Sequence, residues 1–345
     1  MAGIHQYIER GSGRVVTEKL AADRLVRSLY STVREKAPLL FRMLTSPFAS
    51  SVLGMARYGM LPGGSRRACA AARSLGVDLD ECRDPRSATR SMRALFERQI
   101  RFEARRPLPA DPRAVVSPAD ARCGIGSFRR QSGLFLKEKL FSFDELFGEP
   151  DRGWRTVFRD GDFAVFRLTP DKYHYNHVPA DGEVLDLYEI DGANHSCNPG
   201  AVTAFVNAYS KNRRVVTVFD TDRPGGAGVG RVAMVEVTAL MIGEVVQRYS
   251  DRGYSKPRSV RPGMILKRGQ PKSLFRPGSS VDVLIFERGR TRFAADLVRN
   301  SRRTDAISRF SEAVGRPFVE TDVQVRSLLA WPAGGPGGKG RAPCG

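Results

Sequence analysis

Two textures divide the chain. From about residue 18 to about residue 100, apolar residues recur at helical spacing, first Leu25, Leu29 and Val33, then Leu40, Met43 and Leu44, and this predicts helices. Ser46-Pro47 reads as a further helix start, with serine as cap and proline at the first helical position. It opens an apolar stripe of Phe48, Val52 and Met55. Stripes of this kind either pack into a core or lie in a lipid interface. A proline-rich break at about 105–113 follows. Beyond it come short runs rich in valine and phenylalanine, at Phe163–Leu168, Val184–Ile190, Val215–Phe219, Val232–Val246 and Val281–Phe286, separated by Gly, Pro and Asp. These predict a mainly antiparallel β region. The helical period returns over about 291–316 with Phe293, Leu297, Ile307, Phe310 and Val314. The last residues are low-complexity and read as a loose tail. The expected architecture is α+β: a helical, membrane-associating region over 1–104, a β-rich domain closed by C-terminal helices over 105–316, and an extension with a tail over 317–345.

Charge then narrows the partners. The 345 residues carry a formal net charge of +19, which suits nucleic acid or an anionic membrane surface. Five cysteines, widely spaced and without a CxxC pair, argue against a disulfide framework or a zinc ribbon and for a reducing compartment. The N-terminus has no apolar run of the signal-peptide type, and no stretch is long enough to span a bilayer. If the protein meets a membrane, it does so from the side.

Histidine is scarce, and two of the four, His174 and His177, fall in one segment from Asp171 to Gly182. Two histidines three apart could share a helical face and bind a metal. No third His or Cys stands near, so no metal is expected. Val116-Ser-Pro-Ala-Asp120 places a carboxylate at a turn, and Phe275-Arg-Pro-Gly278-Ser279-Ser280 places a Gly-Ser-Ser turn before an apolar strand. Together these segments supply an aspartate, a histidine and a serine, the set that activates a hydroxyl. The glycine-rich Pro224–Gly230 segment lacks the Gly-Lys-Ser/Thr ending of a phosphate loop and precedes a strand-like run, so it reads as a hairpin loop.

From about residue 4 to about residue 316 the chain resembles the phosphatidylserine decarboxylase family. The segments IHQYIERGSGRVVTEKL, VVSPAD, LTPDKYHYNHVPADGEV, NRRVVTVFDTD and FRPGSSVDVLIFERGR follow in the family's order. The resemblance implies that Asp120, His177 and Ser279 form a self-cleavage triad acting on the Gly278–Ser279 bond. Ser279 would become a pyruvoyl group, with no external cofactor. The resulting chains, 1–278 and 279–345, would stay associated. The pyruvoyl group would then take phosphatidylserine through a Schiff base to phosphatidylethanolamine and CO₂, with His174 serving the decarboxylation step. The chain departs from the family's pattern at Ala121, Thr238 and Ser273, where glycine is usual, and at Pro277; the segment from Ser91 to Phe96 also differs. These changes touch the head group accepted, not the atoms the mechanism needs. The implied setting is peripheral, on the cytoplasmic face of an anionic membrane. Nucleic acid is the less favoured partner, and a homo-oligomer is compatible. Two alternatives are the same chemistry on another amino-acid head group or a soluble amino acid, and an inactive basic homologue that only binds membrane or nucleic acid.

Overall fold

A computed structural model describes residues 4–20, 23–46, 49, 64–129, 142–149, 152–204, 208–241 and 244–334. The helix start at Pro47, the stripe of Phe48, Val52 and Met55, and the C-terminal tail with Cys344 lie outside the described residues.

The chain opens with a hairpin, β1 (Gln6–Glu9) and β2 (Val15–Thr17). Among the described residues, helical segments then lie over 23–44 and 64–105, as the spacing predicts. Their ends follow local chemistry. The Asp84 side chain accepts the amides of Arg86 and Ser87, with Pro85 at the first helical position. Ser91 caps Met92–Phe96 by accepting the Ala94 amide. Val26, Tyr30 and Phe41 pack with Ala201. Leu39, Leu40 and Met43, on the helix Pro38–Leu44, instead remain 79%, 42% and 57% exposed.

The β region holds β3 (Val115–Val116), β4 (Ala121–Ser127), β5 (Asp162–Leu168), β6 (Tyr175–His177), β7 (Gly182–Ile190), β8 (Arg214–Asp220), β9 (Arg231–Met241) and β10 (Val245–Gln247). It continues with β11 (Ile265–Leu266), β12 (Pro271–Phe275), β13 (Gly278–Phe286), β14 (Thr291–Phe293), β15 (Thr321–Val323) and β16 (Leu328–Pro332). Ten of these strands form one sheet in the order β11-β7-β8-β9-β13-β5-β4-β15-β1-β2. Within it only the β1–β15 pair is parallel. Two three-stranded sheets, β10-β12-β6 and β14-β16-β3, stand beside it.

Both faces of the large sheet are covered. Along β13, Val281, Val283 and Ile285 enter one apolar cluster and Leu284 and Phe286 enter another, the alternation a strand imposes. Pro224–Gly230 falls in the hairpin between the antiparallel strands β8 and β9, as expected.

Three expectations need correction. Phe293 lies in a strand, β14, and the C-terminal helices are Ala295–Ser301 and Arg309–Val314. The segment after 316 is more than an extension: β15 joins the large sheet and β16 pairs with β14 and β3. The Gly-Ser-Ser segment is already strand, the first three residues of β13, so the turn is displaced onto Arg276-Pro277.

A buried ion network ties the two ends of the chain together. Arg167 on β5 donates to Glu18 at 2.9 and 2.6 Å and to Glu320 at 3.1 and 2.6 Å, and His5 Nε2 lies 3.0 Å from Glu320. Burial works against the Glu320 charge, but Arg167 and His5 outweigh it and hold the carboxyl down to about 2. His5, Glu18 and Glu320 bring three ligand atoms within 4.8 Å of one another. Arg167 already bridges both carboxylates, so the cluster is a latch.

Candidate active site

The sequence motifs converge at the edge of the small sheet β10-β12-β6. Residues 116–118 run beside 177–179. The Val116 amide donates to the Pro179 carbonyl at 2.8 Å and the His177 amide to the Pro118 carbonyl at 2.7 Å. This places Asp120 next to the two-histidine segment. On its other side β6 pairs with β12, Leu274 opposite Tyr175, and the Phe275 amide donates to the His174 carbonyl at 3.0 Å. Three residues beyond Phe275 the chain reaches Gly278. Gly278 pairs with Met241 and Ser280 with Thr238, and the register shifts between them: two residues of β9, 239 and 240, face the single residue 279, so the Gly278–Ser279 bond lies at a β-bulge whose extra residue is in β9. A bulge loosens the ladder locally and is common beside active sites. The Ser279 side chain lies outside the described residues.

His177 is buried. Its Nδ1 lies 2.8 Å from the Gly269 carbonyl and its Nε2 2.9 Å from the Tyr173 hydroxyl. A carbonyl only accepts, so Nδ1 carries the proton and the lone pair is on Nε2. Burial, with Arg326 helping, pulls the ring down to about 3 against the opposing charge of Asp120. His174 is held alike. Its Nδ1 is 2.8 Å from the Lys172 carbonyl, and its ring stacks on Phe96 with centroids 3.6 Å apart. Burial and the nearby Arg98 hold it at about 3. Its Nε2 is buried without a hydrogen-bond partner among the described residues. The helix capped by Ser91 is thus what places Phe96 against His174. The two rings face different neighbours, His177 meeting Phe102 edge-on, so they do not form the shared metal-binding face that their spacing allowed.

Asp120 comes near both histidines but bonds to neither ring. Its carboxylate accepts from Arg106 at 3.2 and 3.0 Å and from the Val325 amide at 2.7 Å. Arg106 is shared with Glu81. His195, the remaining histidine, is stacked on Phe41.

A buried polar cluster that no sequence motif marks lies under the same strands. Lys272 on β12 and Glu236 on β9 form an ion pair at 2.6 Å with both side chains fully buried. Ser273 donates to Glu236, and Asn176 donates to Glu236 at 3.2 Å and to Ser273 at 3.1 Å. Asp282, opposite Glu236 across β9–β13, is fully buried, and neither of its oxygens has a partner among the described residues. Burial first, then Glu236, push its carboxyl well above the usual range despite Lys272. The signal was present as single charges inside apolar runs, Glu236 in VAMVEVTALM and Asp282 in VDVLIF. Two departures from the family pattern are absorbed here. Ser273 belongs to the cluster, and Thr238 donates to the Arg213 carbonyl at 2.9 Å.

A sequence profile of the family described as phosphatidylserine decarboxylase matches residues 92–315. The phosphatidylserine decarboxylase proenzyme of Fusobacterium nucleatum is 26% identical over 298 residues, 86% of this chain and 92% of that protein. The proenzyme of Chlamydia trachomatis serovar L2 is 27% identical over 320 residues, 90% of this chain and 97% of its own. That of Photobacterium profundum is 29% identical over 258 residues, 71% and 82%. The profile spans every element that carries Asp120, His174, His177 and the Gly278–Ser279 bond, and the chain therefore belongs to the phosphatidylserine decarboxylase family.

Proposed function

We propose that the chain is a proenzyme that cuts itself between Gly278 and Ser279 and then converts phosphatidylserine to phosphatidylethanolamine and CO₂. The observation that carries this reading is the strand β6. It holds the buried, neutral His177, follows directly on the buried, neutral His174, and pairs with the strand that leads into the Gly278–Ser279 bond. A neutral imidazole beside a serine is the base that self-cleavage requires. The Ser279 oxygen attacks the Gly278 carbonyl, the amide becomes an ester, and elimination followed by loss of ammonia leaves a pyruvoyl group on the 279–345 chain.

The surroundings fit such a group. Ser280 Oγ, next in the chain to the Gly278–Ser279 bond, and His174 Nε2 are buried polar atoms without hydrogen-bond partners among the described residues, as expected of a site that receives a polar substrate. The pyruvoyl carbonyl supplies an electrophile that takes up the substrate amine and draws off electrons as CO₂ departs. His174 presents an unpaired lone pair there; the proton it takes up is the one it can return to the product carbon. Arg98 is buried beside His174 and donates to the carbonyls of Leu95 and Asp171. Its charge is suited to an anionic head group.

The 1–278 and 279–345 chains remain together because β13 is clamped between β9 and β5 from Ser280 to Phe286. The substrate is reached from the side of a cytoplasmic-facing anionic leaflet. Among the described residues no helix is long and apolar enough to cross a membrane. The exposed Leu39, Leu40 and Met43, flanked by Lys36 and Arg42, form an apolar contact with a basic rim.

Intact-mass measurement of the purified protein tests the reading. It should give two chains that meet between residues 278 and 279, the shorter one lacking a free amine, and a Ser279→Ala chain that stays whole. A single uncut polypeptide from the native sequence would overturn it.

A further inference from the structure

The Gly278–Ser279 bond lies where the chain passes from one sheet to another. Strand β12 ends at Phe275 in a small sheet and β13 begins at Gly278 in the large one, so Arg276 and Pro277 make the crossing. The facing chain crosses alongside. Met241, at the end of β9, stands opposite Gly278, and Val245, at the start of β10, stands opposite Phe275. Strand β5 pairs with β13 from Ser280 onward, so among the described residues Gly278 has a ladder partner on the β9 side alone. Pro277 has no N–H to donate. The nearest anchor before the bond is therefore Arg276.

Arg276 is held through its backbone and its side chain. Its amide donates to the Glu244 carbonyl at 2.9 Å. Its Nη1 donates to Glu97 Oε1 at 2.9 Å, and its Nε lies 3.5 Å from Glu244 Oε2. The Arg276–Glu97 pair is largely shielded, each side chain only 18% exposed, so water and salt screen it less than a pair at the surface. Glu97 also accepts from Arg93 at 2.8 Å, which fixes the carboxylate from a second side. It follows directly on the helix Met92–Phe96 and is the neighbour of Phe96, whose ring stacks on His174. One short helical segment thus holds the His174 ring with one residue and the chain entering the Gly278–Ser279 bond with the next.

We propose that Glu97 and Arg276 are positioning residues for self-cleavage: the pair fixes the chain two residues before the bond and so holds the Gly278 carbonyl in place for attack. The inference rests on the chain cutting itself at Gly278–Ser279. Neither residue touches the reacting atoms. In the first step the serine oxygen bonds to the Gly278 carbonyl carbon and the C–N bond breaks. The hydroxyl proton ends on the freed Ser279 nitrogen, and nothing is oxidised or reduced. That carbonyl carbon lies on the Arg276 side of the bond. The second step takes the Ser279 α-proton, breaks the Cβ–O bond and leaves Gly278 as a carboxylate. Its atoms lie on the β13 side, where β9 and β5 hold the strand from Ser280 onward. The pair therefore acts on ester formation and not on elimination. Misplacing reacting groups by about 1 Å can cost about a hundredfold in rate.

Cell-free synthesis of the full chain, with pulse–chase on denaturing gels, reads the cleavage rate. Brief hydroxylamine treatment reads the ester, because hydroxylamine cuts an ester at 278–279 and leaves the amide whole. Urea midpoints in the Ser279→Ala background report folding of each variant. Arg276→Met should slow cleavage by about tenfold to a hundredfold, as loss of one charge-assisted hydrogen bond allows. Arg276→Lys keeps the charge without the planar fork and should recover part of the rate. Glu97→Gln should also slow cleavage. Combined with Arg276→Met it should add nothing, because the two residues act as one pair. In every slowed variant the hydroxylamine-sensitive fraction should stay at or below the native level. A native rate in folded Arg276→Met overturns the proposal. So does a slowed variant that accumulates ester, or a double variant whose effects simply add. If Arg276→Met does not fold, Arg276→Lys and Glu97→Gln decide in its place, and native rates in both overturn the pair. A native chain that stays whole defeats the self-cleavage reading itself. A native chain that cuts, alongside variants that cut as fast, defeats only the positioning role.

Discussion

Arg106 grips Asp120 through two hydrogen bonds, Nε to Oδ1 at 3.2 Å and Nη2 to Oδ2 at 3.0 Å, so the carboxylate expected to orient His177 is committed elsewhere. Asp120 acts on both histidine rings through space, favouring their charged forms. Asp120→Asn should therefore slow self-cleavage by about tenfold, the equivalent of one pKa unit at the base, whereas His177→Ala should abolish it. Pulse–chase gels of the two variants make the comparison; equal, complete loss would mean that Asp120 contacts the ring in the reacting state.

His174 is placed differently from His177, stacked on Phe96 with an open Nε2. Replacing it with alanine should leave cleavage at Gly278–Ser279 largely intact and suppress release of CO₂ from phosphatidylserine vesicles. Parallel loss of both would show that the two histidines do not divide the work.

Lys272 is the partner of Glu236 in a pair with no solvent exposure. Lys272→Met leaves Glu236 facing Asp282 in an apolar interior, and removing one member of a buried pair typically costs about 3 to 5 kcal/mol. Adding Glu236→Gln should recover part of this. Urea unfolding in the uncut Ser279→Ala background, where a single chain unfolds, provides the measurement.

His174 and His177 are each held near 3 in the folded chain by burial, against an ordinary value of 6.5. The unfolded chain therefore binds more protons between those limits. Each histidine should remove stability as pH falls from about 6.5 towards 3, by up to about 1.4 kcal/mol per pH unit. Urea midpoints of the Ser279→Ala chain at pH 7 and pH 5 should differ accordingly, and His174→Phe should reduce the difference.

Asp282 works with the opposite sign. Its folded carboxyl is raised, so the folded state holds the proton more tightly, and stability is lost as pH rises from about 3.8 towards that raised value. Asp282→Asn, which keeps the shape and cannot ionise, should stabilise the uncut chain at neutral pH and flatten this part of the profile. A variant less stable than its parent at pH 8 would mean that the Asp282 carboxylate is charged and partnered.

How much was legible follows from where the determining interactions lie. The β runs were readable because each strand alternates between two apolar faces of one sheet, a period-2 pattern carried by the local sequence, as in Val281 to Phe286. The helices before residue 105 were readable for the same reason at period 3.6. Asp120, His174, His177 and Ser279 stand out as candidates because each falls in a short segment that resembles the family. Phe293 fits a helical pattern from the sequence because it stands two positions before a helix and four before Leu297, where one apolar residue suits either period.

Other features depend on contacts between distant segments. Tyr254 reaches Tyr173 across 81 residues, Lys272 meets Glu236 across 36, and Arg167 binds Glu320 across 153. Nothing near any one of these residues in the chain indicates its partner, because strand order sets the pairing. The sequence by itself therefore determined which residue types could cut the chain and where the strands run. The tertiary structure alone decided that Asp120 is gripped by Arg106, that the Gly278–Ser279 bond faces a bulge in β9, and that His177 faces a tyrosine hydroxyl. Hydrogen-bond direction and burial are properties of atoms brought together by folding.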